Sequence, residues 1–390
     1  MTAWMTMTDT LGPESIFHVY DAKTGLKAVV VVDTTLNHIA GGGTRMMPDI
    51  TTAEIFGLAR AMTHKFAIFD FPIGGAKAGI WADPGLKGEE RQALLRAFGK
   101  AVKPLLSAGV TLAADIGTDG EDVATLYAGA DLPSGSTGLA LTEIDGEPLE
   151  NHATGYGVVE AARAACEMAE LDMGTATAAI EGFGKVGTGV ARYLKENGTT
   201  VVAISTLNGC LYRADGLDVE KLLSLKKTVG DDLVNQYPGA EVLKSQAIYG
   251  LPVDILIPGA RPYVIDRQNV QQVKARVISS IANIPITDEA EEILFRKNVV
   301  TVPDFISNAG GITVALVDIL GGNVENVFDA LRKLLGPLTR EILVESRDQK
   351  INPRKLAIQK TTARVLAARD ATDDPPFDEI LNRVKTRLDL

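Results

Sequence analysis

The chain has 390 residues, 46% of them apolar and 5% aromatic, with a formal net charge of -11. That length exceeds one ordinary domain and suits two. The acidic balance lacks any compensating basic block, which argues against a nucleic-acid or anionic-membrane partner. No run approaches the length of a transmembrane helix, and the first sixteen residues hold no Lys or Arg and no long apolar stretch. No signal peptide and no membrane span are expected, and a cytoplasmic location is. Cys166 and Cys210 are the only cysteines and form no disulfide framework or Cys-x-x-Cys motif. Cys166, in an alanine-rich run, reads as small core filler. His18, His38, His64 and His152 lack metal-ligand spacing, so no metal site is expected.

Residues 1–15 read as a loose leader. Two strands then flank a turn at Lys23-Thr24-Gly25, and residues 38–47 read as a glycine loop. Thr51 with Glu54 predicts a capping box, and Ile55, Leu58, Ala59, Met62, Phe66 and Phe69 follow a helical period. Lys65 lies seven residues past Leu58, along that apolar stripe. Lys77 closes a predicted turn at Gly74-Gly75-Ala76, after Pro72. An amine held in such a crevice loses hydration, which disfavours its charged form, and a second amine pushes the same way. Such a lysine serves as a base or nucleophile near neutral pH. The same residues read equally well as a helix end capped by Lys65 and a surface turn with a chance lysine.

Residues 88–106 are amphipathic and helical. The apolar strand 111–114 contains Ala113 and ends at Asp115, followed by Ile116-Gly117-Thr118. A carboxylate at a strand end is a common place for chemistry in α/β folds; it is as commonly a cap or Asx-turn. Residues 132–151, rich in Gly and Pro, read as a linker. Ala153-Thr154-Gly155-Tyr156-Gly157 then opens a helix over 158–170.

The clearest motif follows the strand 176–181. Gly182-Phe183-Gly184-Lys185-Val186-Gly187 is G-x-G-x-x-G between a strand and a helix, inside a βαβ unit, which is the context that dinucleotide binding requires. The first glycine allows the tight turn, the second lets backbone approach a pyrophosphate, and the third lets the helix pack on the sheet. The next strand ends in Ser205-Thr206 where an acidic ribose partner is usual. Neither residue repels a 2′-phosphate, and Arg213 is near, so NAD and NADP both stay open. Apolar runs at 253–258, 277–281 and 299–302 extend a parallel sheet. Asn283 and Asn308 follow two of them, at strand ends suited to ligand contacts or to turns. From 323 on the pattern is helical and charged.

These segments resemble the glutamate/leucine/phenylalanine/valine dehydrogenases, from about Gly42 to Ala315 and in order. The carriers are GGGTRM, MTHKFAIFDFPIGGAKAGI, DIGT, ATGYG, GFGKVG, DILIP, AN-x-P and VPDFISNAGGITV. The resemblance implies an α/β fold of two domains with the active site in the cleft between them. One is a substrate and oligomerisation domain (1–145, completed by 331–390); the other is a Rossmann-type, doubly wound NAD(P)-binding domain (146–330). It implies that Lys77 activates a water for attack on the iminium carbon, that Lys65 holds the substrate α-carboxylate, and that Asp115 moves protons to and from the substrate nitrogen. Thr154 and Asn283 match nicotinamide contacts, with Ala260 also at the cofactor, and Asn308 lines the same cleft.

Glutamate members carry a lysine for the side-chain carboxylate where this chain has Gly41, just before Gly42, and a serine where it has Ala315. With Ala113, Ile312 and Ala315 the implied pocket is apolar, so a hydrophobic L-amino acid such as leucine, valine or phenylalanine is expected, released as the 2-oxo acid and ammonia. Ile281 and Ile284 flank Asn283 where the family has smaller residues, and Arg261 stands where it has a small or apolar one. The alternatives are a glutamate dehydrogenase with its anchor moved to Arg45 or Arg261, and a catalytically silent, nucleotide-sensing subunit; the presence of Lys65, Lys77 and Asp115 speaks against the latter. The resemblance further implies a homo-oligomer of six or eight subunits.

Overall fold

The computed structural model describes residues 7–71, 73–133, 139, 142–370, 379, 382, 385 and 386. Pro72, the first part of the expected leader, the middle of the expected linker and most of the tail beyond 370 lie outside the described residues. The backbone separates into two units, one of Met1–Leu141 with Ile358–Arg387, the other centred on Thr142–Ala357.

In the first unit the predicted hairpin forms as β1 (Ser15–Asp21) and β2 (Leu26–Val32), antiparallel from Ser15 opposite Val32 to Asp21 opposite Leu26. β3 (Ala40–Met46), α1 (Thr52–Ile68), β4 (Gly74–Ile80), α2 (Gly88–Ser107), β5 (Val110–Ala114) and α3 (Gly120–Gly129) follow. The sheet runs β1-β2-β4-β3-β5, with β3 parallel to both β4 and β5.

Two glycine-rich stretches expected as a loop and a turn are strands. Residues 38–47 contain β3, and Gly74-Gly75-Ala76 begins β4. Glycine weakens a strand by its entropy and its missing side chain. Here that cost is offset by burial of all of β4 and by the close approach of α1. A methyl group on Gly75 would stand 2.3 Å from the Ala59 carbonyl oxygen and the Thr63 nitrogen, and one on Gly79 would stand 2.7 Å from Ile50 Cδ1. These glycines let α1 lie directly on the strand, while Ala76, Ala78 and Ile80 pack with Leu95, Phe98 and Val102 of α2 on the opposite face. At the start of α1 the Thr51 hydroxyl accepts the Glu54 N–H at 3.1 Å, as predicted. The other half of the capping box is absent, because the Glu54 carboxylate turns to Arg45.

The second unit begins with the short hairpin β6 (Glu143–Ile144) and β7 (Glu147–Pro148), inside the expected linker. Then come α4 (Leu149–Met168), β8 (Thr177–Glu181), α5 (Lys185–Glu196), β9 (Thr200–Thr206), β10 (Gly209–Tyr212), α6 (Val219–Val229), α7 (Leu233–Gln236), β11 (Glu241–Leu243), β12 (Ile255–Ile257), β13 (Val277–Ile278), α8 (Asp288–Arg296), β14 (Val300–Thr301), α9 (Asp304–Ser307), α10 (Gly310–Ile319) and α11 (Val324–Gln349). The sheet order is β11-β10-β9-β8-β12-β13-β14, parallel from β9 to β14 with an antiparallel edge of β10 and β11. Strand–helix alternation builds this doubly wound sheet.

Two boundaries differ from expectation. The Ala153–Gly157 segment lies inside α4 and not ahead of it, because its glycines are packing positions. A methyl on Gly155 would stand 3.0 Å from the Val190 nitrogen of α5, and one on Gly157 would stand 2.9 Å from Leu335 of α11. That packing of α11 on α4, with Arg332 donating to the Tyr156 hydroxyl at 3.3 Å, keeps α11 in the second unit. The chain rejoins the first unit at Ile358, within α12 (Pro353–Asp370), instead of near residue 331. There the Thr361 hydroxyl lies 2.8 Å from His64 Nδ1, and Arg364 donates to the Ala67 and Ile68 carbonyls at 3.0 Å each, closing the end of α1.

Candidate active site

Each unit carries one cluster of the expected residues. In the first, Lys65 and Lys77 are buried, 7% and 4% exposed. Lys65 sits in the last turn of α1 and Lys77 at the middle of β4. Lys77 Nζ stands 3.1 Å from Asp115 Oδ2, and Arg45 Nε donates to the same oxygen at 2.9 Å. Arg45 Nη1 reaches Glu54 Oε1 at 2.7 Å. Asp115 is just past the end of β5. Its backbone makes a turn with Thr118, whose hydroxyl accepts the Asp115 N–H at 3.0 Å and donates to the Thr44 carbonyl at 2.7 Å. The turn at Asp115 is made by its backbone and the Thr118 hydroxyl, while its side chain goes to Lys77 and Arg45. Burial alone would push the Asp115 carboxyl up. The Lys77 and Arg45 cations overcome this and hold it well below the usual carboxylate range. Asp115 is thus ionised at neutral pH.

The glycines of β3 make room for this cluster. A methyl on Gly43 would lie 2.8 Å from Asp115 Cβ and 3.0 Å from Lys77 Nζ, and one on Gly42 would lie 1.7 Å from the Ala76 carbonyl oxygen. Gly41 is less confined: a methyl there meets the Thr111 hydroxyl at 3.0 Å and the Phe66 ring at 3.4 Å, both side chains. Ala113 is exposed on β5, in register with Gly43. Local sequence pattern does not reveal Arg45 and Glu54 as partners of Asp115; the register that sets Arg45 beside Asp115 comes from β3 being a strand.

In the second unit the glycine motif does what its spacing predicts. Gly182 has φ +84°, and a methyl on it would stand 2.9 Å from the Ala260 nitrogen. A methyl on Gly187 would lie 2.3 Å from the Gly182 carbonyl oxygen. Gly184, by contrast, has nothing within 4 Å of its missing side chain, and no side chain caps the start of α5. Lys185 is exposed and Val186 half-buried there. An open helix N-terminus with bare backbone fits the pyrophosphate of a dinucleotide. Phe183 is buried, 1% exposed, and donates its N–H to the Ser205 carbonyl at 2.8 Å, so its side chain belongs to the core. Ser205 and Thr206 are buried, and their hydroxyls serve the fold: Ser205 Oγ accepts the Gly182 N–H at 3.4 Å, and Thr206 donates to the Asp231 carbonyl at 3.0 Å.

Glu181, unassigned from sequence, closes β8. Its Oε2 accepts the N–H of Gly259 at 2.7 Å and of Ala260 at 2.8 Å. Burial raises its pKa more than these two donors and the Tyr249 hydroxyl lower it. Its signal in the sequence was an acidic residue ending an apolar strand directly before the first glycine. Asn308 caps the end of α9 instead of standing at the end of β14, and it donates to Asn283 Oδ1 at 2.8 Å and to the Ile281 carbonyl at 3.1 Å, beyond β13. Thr154 joins the same end of the sheet, since a methyl on Gly310 would stand 2.3 Å from its nitrogen. Ile312 and Ala315, three residues apart on α10, are half-buried and exposed.

The comparisons with known proteins cover both units. Residues 13–130 match the model of the Glu/Leu/Phe/Val dehydrogenase dimerisation domain, and 146–372 that of the Glutamate/Leucine/Phenylalanine/Valine dehydrogenase domain. The chain is 33% identical to the glutamate dehydrogenase of Thermotoga maritima over 84% of its own length and 80% of that protein's. It is 31% identical to the NAD-specific glutamate dehydrogenase A of Halobacterium salinarum over 85% and 78%. Its fold superposes on the hetero-hexameric glutamate dehydrogenase of Thermus thermophilus, in the leucine-bound form, with a TM-score of 0.81 at 26% identity, covering 94% of this chain and 93% of the other. With both of the family's domains matched in order, the chain belongs to the glutamate/leucine/phenylalanine/valine dehydrogenase family.

Proposed function

We propose that this chain catalyses the reversible NAD(P)-dependent oxidative deamination of a hydrophobic L-amino acid, of the leucine, valine or phenylalanine type, to the 2-oxo acid and ammonia. The observation that carries the substrate class is Gly41. A side chain there would be aimed at Thr111 and Phe66, on the sheet face shared with Lys77, and the chain places no cation at that position. Ile312 and Ala315 add no charge. A second carboxylate buried without a partner costs several kcal/mol, about 2–7 on the scale for unpaired polar groups and more for a charge.

In this reading Lys65 pairs with the α-carboxylate. Asp115, held ionised, accepts the proton that the substrate ammonium must lose. Lys77 activates the water that attacks the iminium carbon, and Asp115 returns a proton to the departing nitrogen. The bound dinucleotide, seated on Gly182–Gly187, supplies the hydride acceptor. The proton traffic is left to Lys77 and Asp115, which already share a hydrogen bond.

Glutamate is the second reading, supported by the names of the two curated relatives. It requires a relocated anchor. Arg45 is already committed to Asp115 and Glu54, which counts against it, and leaves exposed Arg261. The dimerisation-domain match supports assembly of this chain as an oligomer through its first unit, here read as a homo-oligomer; the hetero-hexameric neighbour supports oligomerisation but not identical subunits. Initial rates with NAD and with NADP against leucine, valine, phenylalanine, tryptophan and glutamate test the substrate class. A hydrophobic amino acid should be preferred; a clear preference for glutamate would refute it.

A further inference from the structure

The loop after β13 carries Asn283, and it is held in a conformation that its own sequence resists. Ile284 has φ +51°, in the left-handed region where a β-branched side chain is a true outlier. It also precedes Pro285, and a residue before proline is pushed toward extended backbone. Strain of this kind persists only where the surroundings over-determine it.

The surroundings do so here. The Ile284 N–H donates to Asp304 Oδ2 at 2.8 Å, and the Ile284 carbonyl accepts the Tyr263 N–H at 2.8 Å. Asp304 is 2% exposed at the start of α9. Its other oxygen, Oδ1, pairs with Arg354 Nη1 from the first turn of α12. The Arg354 guanidinium lies 5.6 Å above the Phe305 ring and faces the buried Glu291, which accepts from Thr301 at 3.1 Å. Asp288 and Tyr263 are the remaining ionisable groups near it. A buried ion pair is a weak source of stability, since a well-packed apolar pair does as well. What a leucine at 304 could not do is accept the Ile284 N–H.

We propose that Asp304 and Arg354 are positioning residues for the cofactor. Arg354 fixes the Asp304 carboxylate, Asp304 locks Ile284 in its left-handed conformation, and this aims the side chain of Asn283 at the nicotinamide. The proposal rests on the reading of Asn283 as a nicotinamide contact.

The test is a double-mutant cycle read by NADH binding, through fluorescence titration, and by thermal melting. Wild type, Arg354→Leu, Ile284→Gly and the double variant are compared. Arg354→Leu should raise the Kd for NADH about tenfold, as expected when a contact group is misplaced. Glycine adopts the left-handed conformation without a clamp, so with Ile284→Gly present the same change should cost less than about threefold. If Arg354→Leu does not fold, Asp304→Ala, which removes the acceptor for the Ile284 N–H outright, enters the cycle in its place. An equal loss in both backgrounds would make the pair a mere support of the fold, and an unchanged Kd in a folded variant would remove it from cofactor binding; either overturns the proposal. Asn283→Ala keeps the two ideas apart. No effect there, beside a large effect of Arg354→Leu, would move the cofactor contact elsewhere on the loop and leave the clamp standing.

Discussion

At the scale of single residues, the first cluster is an arrangement of charges around one carboxylate oxygen. Asp115 Oδ2 takes hydrogen bonds from both Lys77 and Arg45, which explains how a partly buried carboxyl remains ionised. Lys77→Ala should lower kcat by about 10²–10⁴-fold, the range that general acid–base groups supply, with NADH affinity unchanged. Retention of most of the turnover would take Lys77 out of the chemistry. Glu181 makes a different prediction. Its pKa is raised by burial, so its favourable contribution is complete below the unfolded carboxyl value and is lost as pH rises through the folded one. Glu181→Gln does not titrate. Its melting temperature should therefore gain on that of the wild type as pH is taken from 4 to 8; a constant difference across that range would show that Glu181 titrates alike in both states.

At the scale of elements, what was legible in the sequence depended on whether local pattern or tertiary packing decided the outcome. The βαβ unit around GFGKVG was legible because strand, glycine turn and helix are all specified within about thirty residues. β3 and β4 were not. Their glycines read as loop and turn by local preference, but they are strands because α1 presses on Gly75 and Gly79 and because the sheet extends across them. The same misreading hid Arg45 and Glu54, whose roles exist only once β3 runs in register with β5. α4 starts earlier than its sequence pattern suggests because Gly155 and Gly157 are contacts within the helix, and the division at 331, which the family resemblance implies, gives way to one at Ile358 because α11 packs on α4. Gly75→Ala tests this directly. With the Thr63 and Ala59 backbone 2.3 Å from the new methyl, it should destabilise the first unit by about 1–3 kcal/mol, the usual cost of overpacking, seen as a lower denaturant midpoint. An unchanged midpoint would mean that α1 has room to move away.

At the scale of the whole molecule, the chain is two units of different kind. One presents a buried lysine and an aspartate on a mixed sheet with a second buried lysine on α1; the other presents a dinucleotide fold whose loops are cross-braced by Glu181, Asp304 and Asn308. Among the described residues no helix is long and apolar enough to cross a membrane. The reaction type follows from the family; the substrate class is our proposal, and it rests on Gly41. The most direct test is the ratio of kcat/KM for leucine to that for glutamate with the wild-type chain. Our reading predicts a ratio of about 100 or more, as expected when an unpaired carboxylate must be buried. A ratio below one would contradict it.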